Sequence, residues 1–217
     1  KNVIYVCGSA IEFKTNLSEA DKAKMESIKL MQDIHLQAAR FYFANLTKSK
    51  NAGYDYLKRR GLSDKTIKKF GLGYSIYSWN SLMDYLLSIG YEKKDLVKSG
   101  LVTHKEDDNK YYDRFRNRVM FPIFDYRGNV IGFGGRVLDD SLPKYLNSPD
   151  SLIFNKRFNL YGLNYAKKSI KNDTLILVEG YMDLISLYEH GIENVVATLG
   201  TALTNEQGKL IKRYAST

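Results

Sequence analysis

The chain has 217 residues, 44% of them hydrophobic, and 33 Lys and Arg against 24 Asp and Glu give a formal net charge of +9. That length supports one large domain or two smaller ones; the single cysteine, Cys7, excludes an intrachain disulfide, and the three histidines show no spacing suited to structural zinc. No apolar run approaches the ~20 residues of a membrane helix, the opening KNVIYVCGSA is a poor secretory signal, a reducing cytoplasm is the default setting, and the positive balance favours a polyanionic partner.

Residues 1–17 carry no clear pattern and read as a linker or residual tail. The chain begins on Lys and stops in KRYAST, which reads as a piece of a longer protein. Ser18 with Asp21 three positions later marks a helix start, and Ile28, Met31, Ile34, Ala38, Phe41 and Leu46 then recur at helical spacing, predicting one helix over 18–48. Shorter helices follow at 51–60, at 64–70 between Ser63 and Gly71, and at 79–89 and 92–99, closed by Gly90 and Gly100. Residues 104–110 read as a polar loop. RVMFPIFD (118–125) and VIGFGGRVL (130–138) read as strands joined by a hairpin turn, with Pro122 placing the first at an edge or a bulge. Residues 139–160 hold little periodicity and 160–170 read as helix. From Thr174 the pattern is strand (175–179), helix (181–190), strand (194–198) and helix (204–214), a βαβ unit with a parallel pair. The fold class expected is α+β: a helical and β-hairpin subdomain over 18–170, then the start of an α/β domain over 171–217.

The stretch LILVEGYMD (175–183) runs four aliphatic residues into Glu179, then Gly180, then Asp183. In open α/β sheets ligands gather beyond the carboxyl ends of the strands. Two carboxylates there, beside the Gly200–Thr201 loop of the next strand, suit Mg²⁺, which accepts one or two carboxylates plus substrate phosphate. Placement at the positive end of a helix dipole is the plainer explanation of the same residues. A second feature is basic. If RFRNR is extended, Arg114, Arg116 and Arg118 share one face; Arg136 lies on the facing strand, and Lys144 and Lys156 follow. Such a row fits phosphate oxygens of a nucleic acid or a triphosphate, or serves only as a solvated face. The glycines of IGFGGR permit close backbone approach, though GFGG fails as a dinucleotide fingerprint. Tyr145 and Tyr161 are candidates for base stacking, and His35 and His190 read as helix-packing and helix-end residues.

RGLSDKTIKKFGLGY (60–74), YDRFRNRVMFPIFDYRGNVIGFGGRVLDD (112–140), PKYLNSPDSLIF (143–154), LYGLNYAKK (160–168) and LILVEGYMDLISLYEHGIENVVATLGTALT (175–204) together closely resemble the RNA-polymerase core of the bacterial replicative DNA primases of DnaG type. EGYMD is similar to the opening of the Toprim fold. The resemblance implies that Glu179 works in acid–base chemistry and metal organisation with Asp183 beside it. It also implies that Arg114, Arg116 and Arg136 line a basic groove, that Lys144, Asn147 and Lys156 extend that groove, and that Gly180, Gly200 and Thr201 shape the loops. For the whole enzyme it implies synthesis of RNA primers on single-stranded DNA from NTPs with Mg²⁺ or Mn²⁺, zinc in a separate amino-terminal domain, and docking on the replicative helicase. The family's Asp-x-Asp ligands are expected beyond Thr217, so this chain alone is expected to bind metal weakly and not to polymerise. A phage primase–helicase, a topoisomerase or a non-catalytic nucleic-acid-binding module are the alternatives.

Overall fold

The computed structural model describes residues 2–6, 9–13, 18–48, 50–170, 172–200 and 202–215. Cys7 and Thr201, both singled out above, lie outside them. The chain divides into two compact units, Lys1–Leu30 and Met31–Thr217.

In the first unit β1 (Asn2–Val6) and β2 (Ser9–Phe13) pair antiparallel, Asn2 opposite Phe13. The reading of 1–17 as patternless missed them, although Val, Ile and Tyr in NVIYV are strand formers. Next comes the start of α1 (Glu19–Thr47). The Asp21 amide donates to Ser18 Oγ at 3.1 Å and the Ser18 hydroxyl donates to the Asp21 carboxylate at 2.7 Å.

In the second unit α1 buries Ile34, Ala38, Tyr42 and Leu46, a stripe at helical spacing. The helices α2 (Ala52–Arg59), α3 (Asp64–Phe70), α4 (Ser81–Ser88) and α5 (Lys93–Lys98) follow the expected order. Asn51 and Ser63 cap α2 and α3, and Gly71 ends α3 at φ 61°. The central sheet runs β3 (Gly73–Ser75), β6 (Arg118–Phe124), β7 (Val130–Val137), β8 (Tyr145–Asn147), all antiparallel. β3 pairs with 118–120, so among the described residues Pro122 has β7 on one side and no ladder on the other, and a register shift follows at Ile123/Phe124. Of the edge and the bulge expected as alternatives for this strand, the irregularity is present, while β6 lies inside the sheet between β3 and β7 and is not an edge strand. Of residues 104–110, expected to be loop, 106–109 are the connection, and 104, 105 and 110 are strand ends in a hairpin of β4 (Val102–Lys105) and β5 (Lys110–Asp113). Its strands are four residues each and the acidic run Glu106–Asp108 stands between them, so little two-residue alternation shows.

Alternation divides the central sheet's side chains between two cores. Met120 and Phe133 pack with Ile34, Ala38, Tyr42, Leu86 and Phe115. Val119, Phe121 and Ile123 pack on the opposite face with Phe70, Phe154, Tyr161, Tyr181, Leu184 and Val195. That second core draws on both sides of the boundary expected at 170/171. The short α6 (Leu163–Ala166) replaces the longer helix expected over 160–170. Beyond it, β9 (Ile176–Val178), α7 (Tyr181–Glu189) and β10 (Val195–Ala197) form the expected parallel unit, Val195 opposite Ile176, followed by α8 (Asn205–Ile211). An isolated antiparallel bridge ties Tyr161 to Ala197. β9 is not the dry strand its sequence suggests: Leu177 is 40% exposed, because among the described residues β9 pairs only with β10.

Candidate active site

Glu179 follows β9 directly, and Gly180 is the cap from which α7 starts. Thr198 fixes this corner. Its amide donates to Val178 O at 3.2 Å and its hydroxyl to Glu179 O at 3.1 Å. Glu179 and Asp183 are both exposed. A Cβ at residue 180 would stand 3.3 Å from Asp183 Oδ2, so the Asp183 carboxylate folds back over the turn that carries Glu179. Glu179, Thr198, Gly200 and Leu203 border an open cavity of about 600 Å³. Among the described residues no three His, Cys, Asp or Glu side chains are grouped to hold a metal. The two carboxylates are hard oxygen donors, and a pair of them fits Mg²⁺ completed by water and substrate phosphate.

The arginines do not form the ladder that the sequence suggests. Only Arg118 belongs to a strand; residues 114–117 bend between β5 and β6, with Asn117 at φ 52°. Two anchors impose the bend. The Asp113 carboxylate turns to the amino end of α4, accepting from Leu82 N at 2.8 Å and Met83 N at 2.9 Å, while Phe115 is buried in the core. Arg114, Arg116 and Arg118 converge instead from different directions on one cavity of about 360 Å³. Arg114 donates through Nε and Nη2 to Asn147 O at 3.2 and 3.1 Å. Arg116 lies 4.3 Å from the Trp79 ring and 5.2 Å from Tyr112. Arg118 is 7% exposed and donates to Gly135 O and Pro143 O at 3.2 and 3.0 Å; it clamps backbone. Burial lowers the pKa of both Arg114 and Arg118 from the ordinary guanidinium value.

Arg136 pairs across the ladder with Val119, and Arg118 with Val137, so the two guanidiniums leave opposite faces of the sheet. Arg136 therefore stands on the side of α7. It donates to Tyr56 Oη at 2.6 Å and lies 4.6 Å from the Tyr56 ring and 5.7 Å from Tyr145; its Nε is buried without a partner among the described residues. The phenol of Tyr145 links the two features. Burial raises its pKa; around it Arg136 and Arg60 act to lower that pKa, Tyr56 and Asp183 to raise it. The Tyr145 ring thus lies between the Arg136 guanidinium, at 5.7 Å, and the ring of Tyr181 on α7, at 6.2 Å.

Asn147 makes the second link. Its Nδ2 donates to Leu199 O at 2.8 Å and its Oδ1 accepts from Tyr181 Oη at 2.7 Å, while its carbonyl holds Arg114. The glycines of IGFGGR do permit close approach, but of protein. A Cβ at Gly134 would meet Tyr181 Cζ at 2.4 Å, and one at Gly135 would meet Phe115 Cδ1 at 2.8 Å. Lys144 is exposed. Lys156 is exposed too, on a segment whose carbonyl is held by Gln207 Nε2 at 3.0 Å, and no contact joins it to either carboxylate among the described residues. Tyr161, a stacking candidate, is 1% exposed and is core. Tyr56, Arg60, Trp79 and Tyr181 escaped the sequence reading; Arg60 was legible only as a solvated helix end, and Tyr181 only through the glycine it faces.

A βαβ unit with carboxylates at its strand end, joined through a common core to an arginine-bearing antiparallel sheet, makes this an α+β protein with an open parallel pair. The family profile of the DNA primase catalytic core, N-terminal domain, matches residues 41–167, and a Toprim-like profile matches 176–217. The DNA primase of Clostridium acetobutylicum is 54% identical over 191 residues, covering 88% of this chain and 32% of that protein. A DnaG primase catalytic domain bound to single-stranded DNA superposes with a TM-score of 0.81 at 37% identity, covering 88% of this chain and 62% of that one. The zinc-binding and RNA-polymerase domains of Aquifex aeolicus primase superpose with a TM-score of 0.74 at 38% identity, covering 95% of this chain and 49% of that one. The chain belongs to the DnaG-type DNA primase family, and it spans about a third of the length of the curated relative it matches at 54% identity.

Proposed function

We propose that this chain supplies one wall of the active site of an enzyme that makes RNA primers on single-stranded DNA from NTPs, working in the cytoplasm beside a replicative helicase. The observation that supports the reading is that the Tyr145 ring lies 5.7 Å from the Arg136 guanidinium and 6.2 Å from the ring of Tyr181, two residues before Asp183 on α7; on this reading the cationic and acidic features face a shared crevice. Glu179 and Asp183 would hold Mg²⁺ or Mn²⁺, and the bound ion would supply charge stabilisation for nucleotidyl transfer. This chain's own residues orient the reactants. Arg136, stacked between two tyrosines, presents a fork to phosphate, and Arg114 and Arg116, fixed by Asn147 and Trp79, hold the template backbone. Lys144 and Lys156 extend the track at its exposed ends. The Thr198 bonds hold the Val178 and Glu179 carbonyls in place.

With two carboxylates from this chain, the 217 residues alone bind divalent metal weakly and do not polymerise; primer product from them would overturn that part of the reading. In the full-length enzyme Glu179→Gln lowers the rate of primer synthesis by two orders of magnitude or more and leaves affinity for single-stranded DNA within about threefold. Equal loss of rate and affinity would remove Glu179 from the chemistry.

A further inference from the structure

We propose a second phosphate-binding cleft, at the ends of both sheets opposite to the crevice. The β6–β7 ladder carries Arg118 opposite Val137 at one end and Phe124 opposite Val130 at the other, ~20 Å apart at the rise of a strand. Beyond the second end Lys69, Tyr126, Arg127, Tyr165, Lys167 and Lys168 border a cavity of about 190 Å³. Glu193, also on its border, precedes β10 at the amino end of the parallel pair, whereas Glu179 follows the carboxyl end of β9. The cleft and the crevice therefore lie at opposite poles of the same strands.

Four cations meet there against one bordering carboxylate, Glu193. None of Lys69, Arg127, Lys167 and Lys168 takes part in an ion pair among the described residues. Asp125, at the base of the β6–β7 turn, is occupied by Arg127 N at 2.8 Å, Asn129 N at 2.9 Å and Asn129 Nδ2 at 2.9 Å. Glu193 accepts from Ser169 Oγ at 2.7 Å. The cations are held instead by neutral groups. Arg127 Nε donates to Tyr126 Oη at 2.7 Å, and the Lys167 ammonium donates to the Tyr126 carbonyl. Both cations also lie by the Tyr126 ring, at 5.2 and 5.7 Å, and the Lys69 ammonium lies 5.5 Å from the Tyr165 ring. Contacts of this kind order a cation without cancelling its charge, so less entropy is lost when an anion arrives.

The geometry also selects the ligand. Two cations already crowd the Tyr126 ring, which leaves it ill suited to stack on a base. At about 190 Å³ the cavity is below the ~300 Å³ at which pockets for drug-sized molecules begin. A phosphate group fits both limits. It would come either from the backbone of a nucleic acid running past this pole or from a free polyphosphate. The inference does not depend on the role assigned to the crevice.

The test is amine acetylation read by mass spectrometry on the 217-residue protein, with exposed Lys98 as the internal reference. Expected is a threefold or greater slowing at Lys167 and Lys168 with inorganic pyrophosphate, retained in Arg136→Ala and lost in Arg127→Ala and in Lys69→Glu. Slowing by a 30-nucleotide strand as well assigns the cleft to backbone phosphate; slowing by pyrophosphate alone assigns it to free polyphosphate. No slowing with either ligand, or slowing that survives both cleft substitutions, overturns the proposal.

Discussion

Tyr181 donates its phenolic hydrogen to Asn147 at 2.7 Å while its ring stacks on Phe121 with centroids 5.0 Å apart. A residue of the parallel unit thereby fixes the amide that also holds Leu199, and whose own carbonyl holds Arg114. Tyr181→Phe keeps the ring and deletes the bond, at a cost of about 1 kcal/mol. In the full-length enzyme primer synthesis should drop several-fold, with a loss of salt sensitivity in DNA binding as Arg114 loosens. Unchanged activity at slightly reduced stability would leave Tyr181 a space-filling residue.

Gly134 is the counterpart of that ring. A methyl group there would stand 2.4 Å from Tyr181 Cζ, and overpacking of this kind costs about 1–3 kcal/mol. Gly134→Ala should therefore lower the urea midpoint in the parent and much less so in a Tyr181→Leu background, a coupling that a double-mutant cycle measures. Additive losses would mean that the sheet, rather than the ring, resists the methyl group.

Two buried groups oppose one another in their response to pH. Burial holds the His35 pKa down at about 4, from 6.5, and pushes Asp113 up to about 6, from 3.8. Between pH 4 and 6.5 the folded state binds fewer protons at His35 than the unfolded chain, so this contribution grows as pH rises. At Asp113 the folded state binds more protons between pH 3.8 and 6, so that contribution is lost over the same window. Each is about 3 kcal/mol at full extent, and they largely cancel. Asp113→Asn removes one side: its unfolding midpoint should fall more steeply than the parent's from pH 6.5 to 4.5. Parallel profiles would count against the opposition.

Gln207 is fully buried and donates to Lys156 O at 3.0 Å and Asn159 O at 2.8 Å while accepting from Thr204 N at 3.0 Å. Gln207→Ala strands two carbonyls and should cost about 3 kcal/mol, with faster hydrogen exchange over 155–159. If exchange there stays at the parent's rate, the segment bearing Lys156 is held by something else.

Much of the architecture was legible because it is local. Ser63 and Gly71 bracket α3, Thr204 caps α8, and the strand–helix–strand rhythm after Thr174 announces a parallel pair. The hairpin at 102–113 was hidden by its short strands and the acidic connection Glu106–Asp108, and NVIYV by its brevity. The carboxylate pair could be placed from sequence, since a strand end is itself a local feature. The arginines could not: their directions depend on Asp113 reaching α4 and on Phe115 entering the core, contacts that spacing alone does not reveal. Tyr56 and Arg60 come to Arg136 and Tyr145 only through tertiary packing.

Phe121, Phe154, Leu184 and Val195 share one apolar cluster, and this has a mechanical corollary. The sheet that carries Arg136 and the helix that carries Asp183 are mounted on a single block, so moving one against the other would tear close-packed contacts apart. The spacing between Arg136 and α7 is therefore set when the chain folds, not when something later comes to lie beside them.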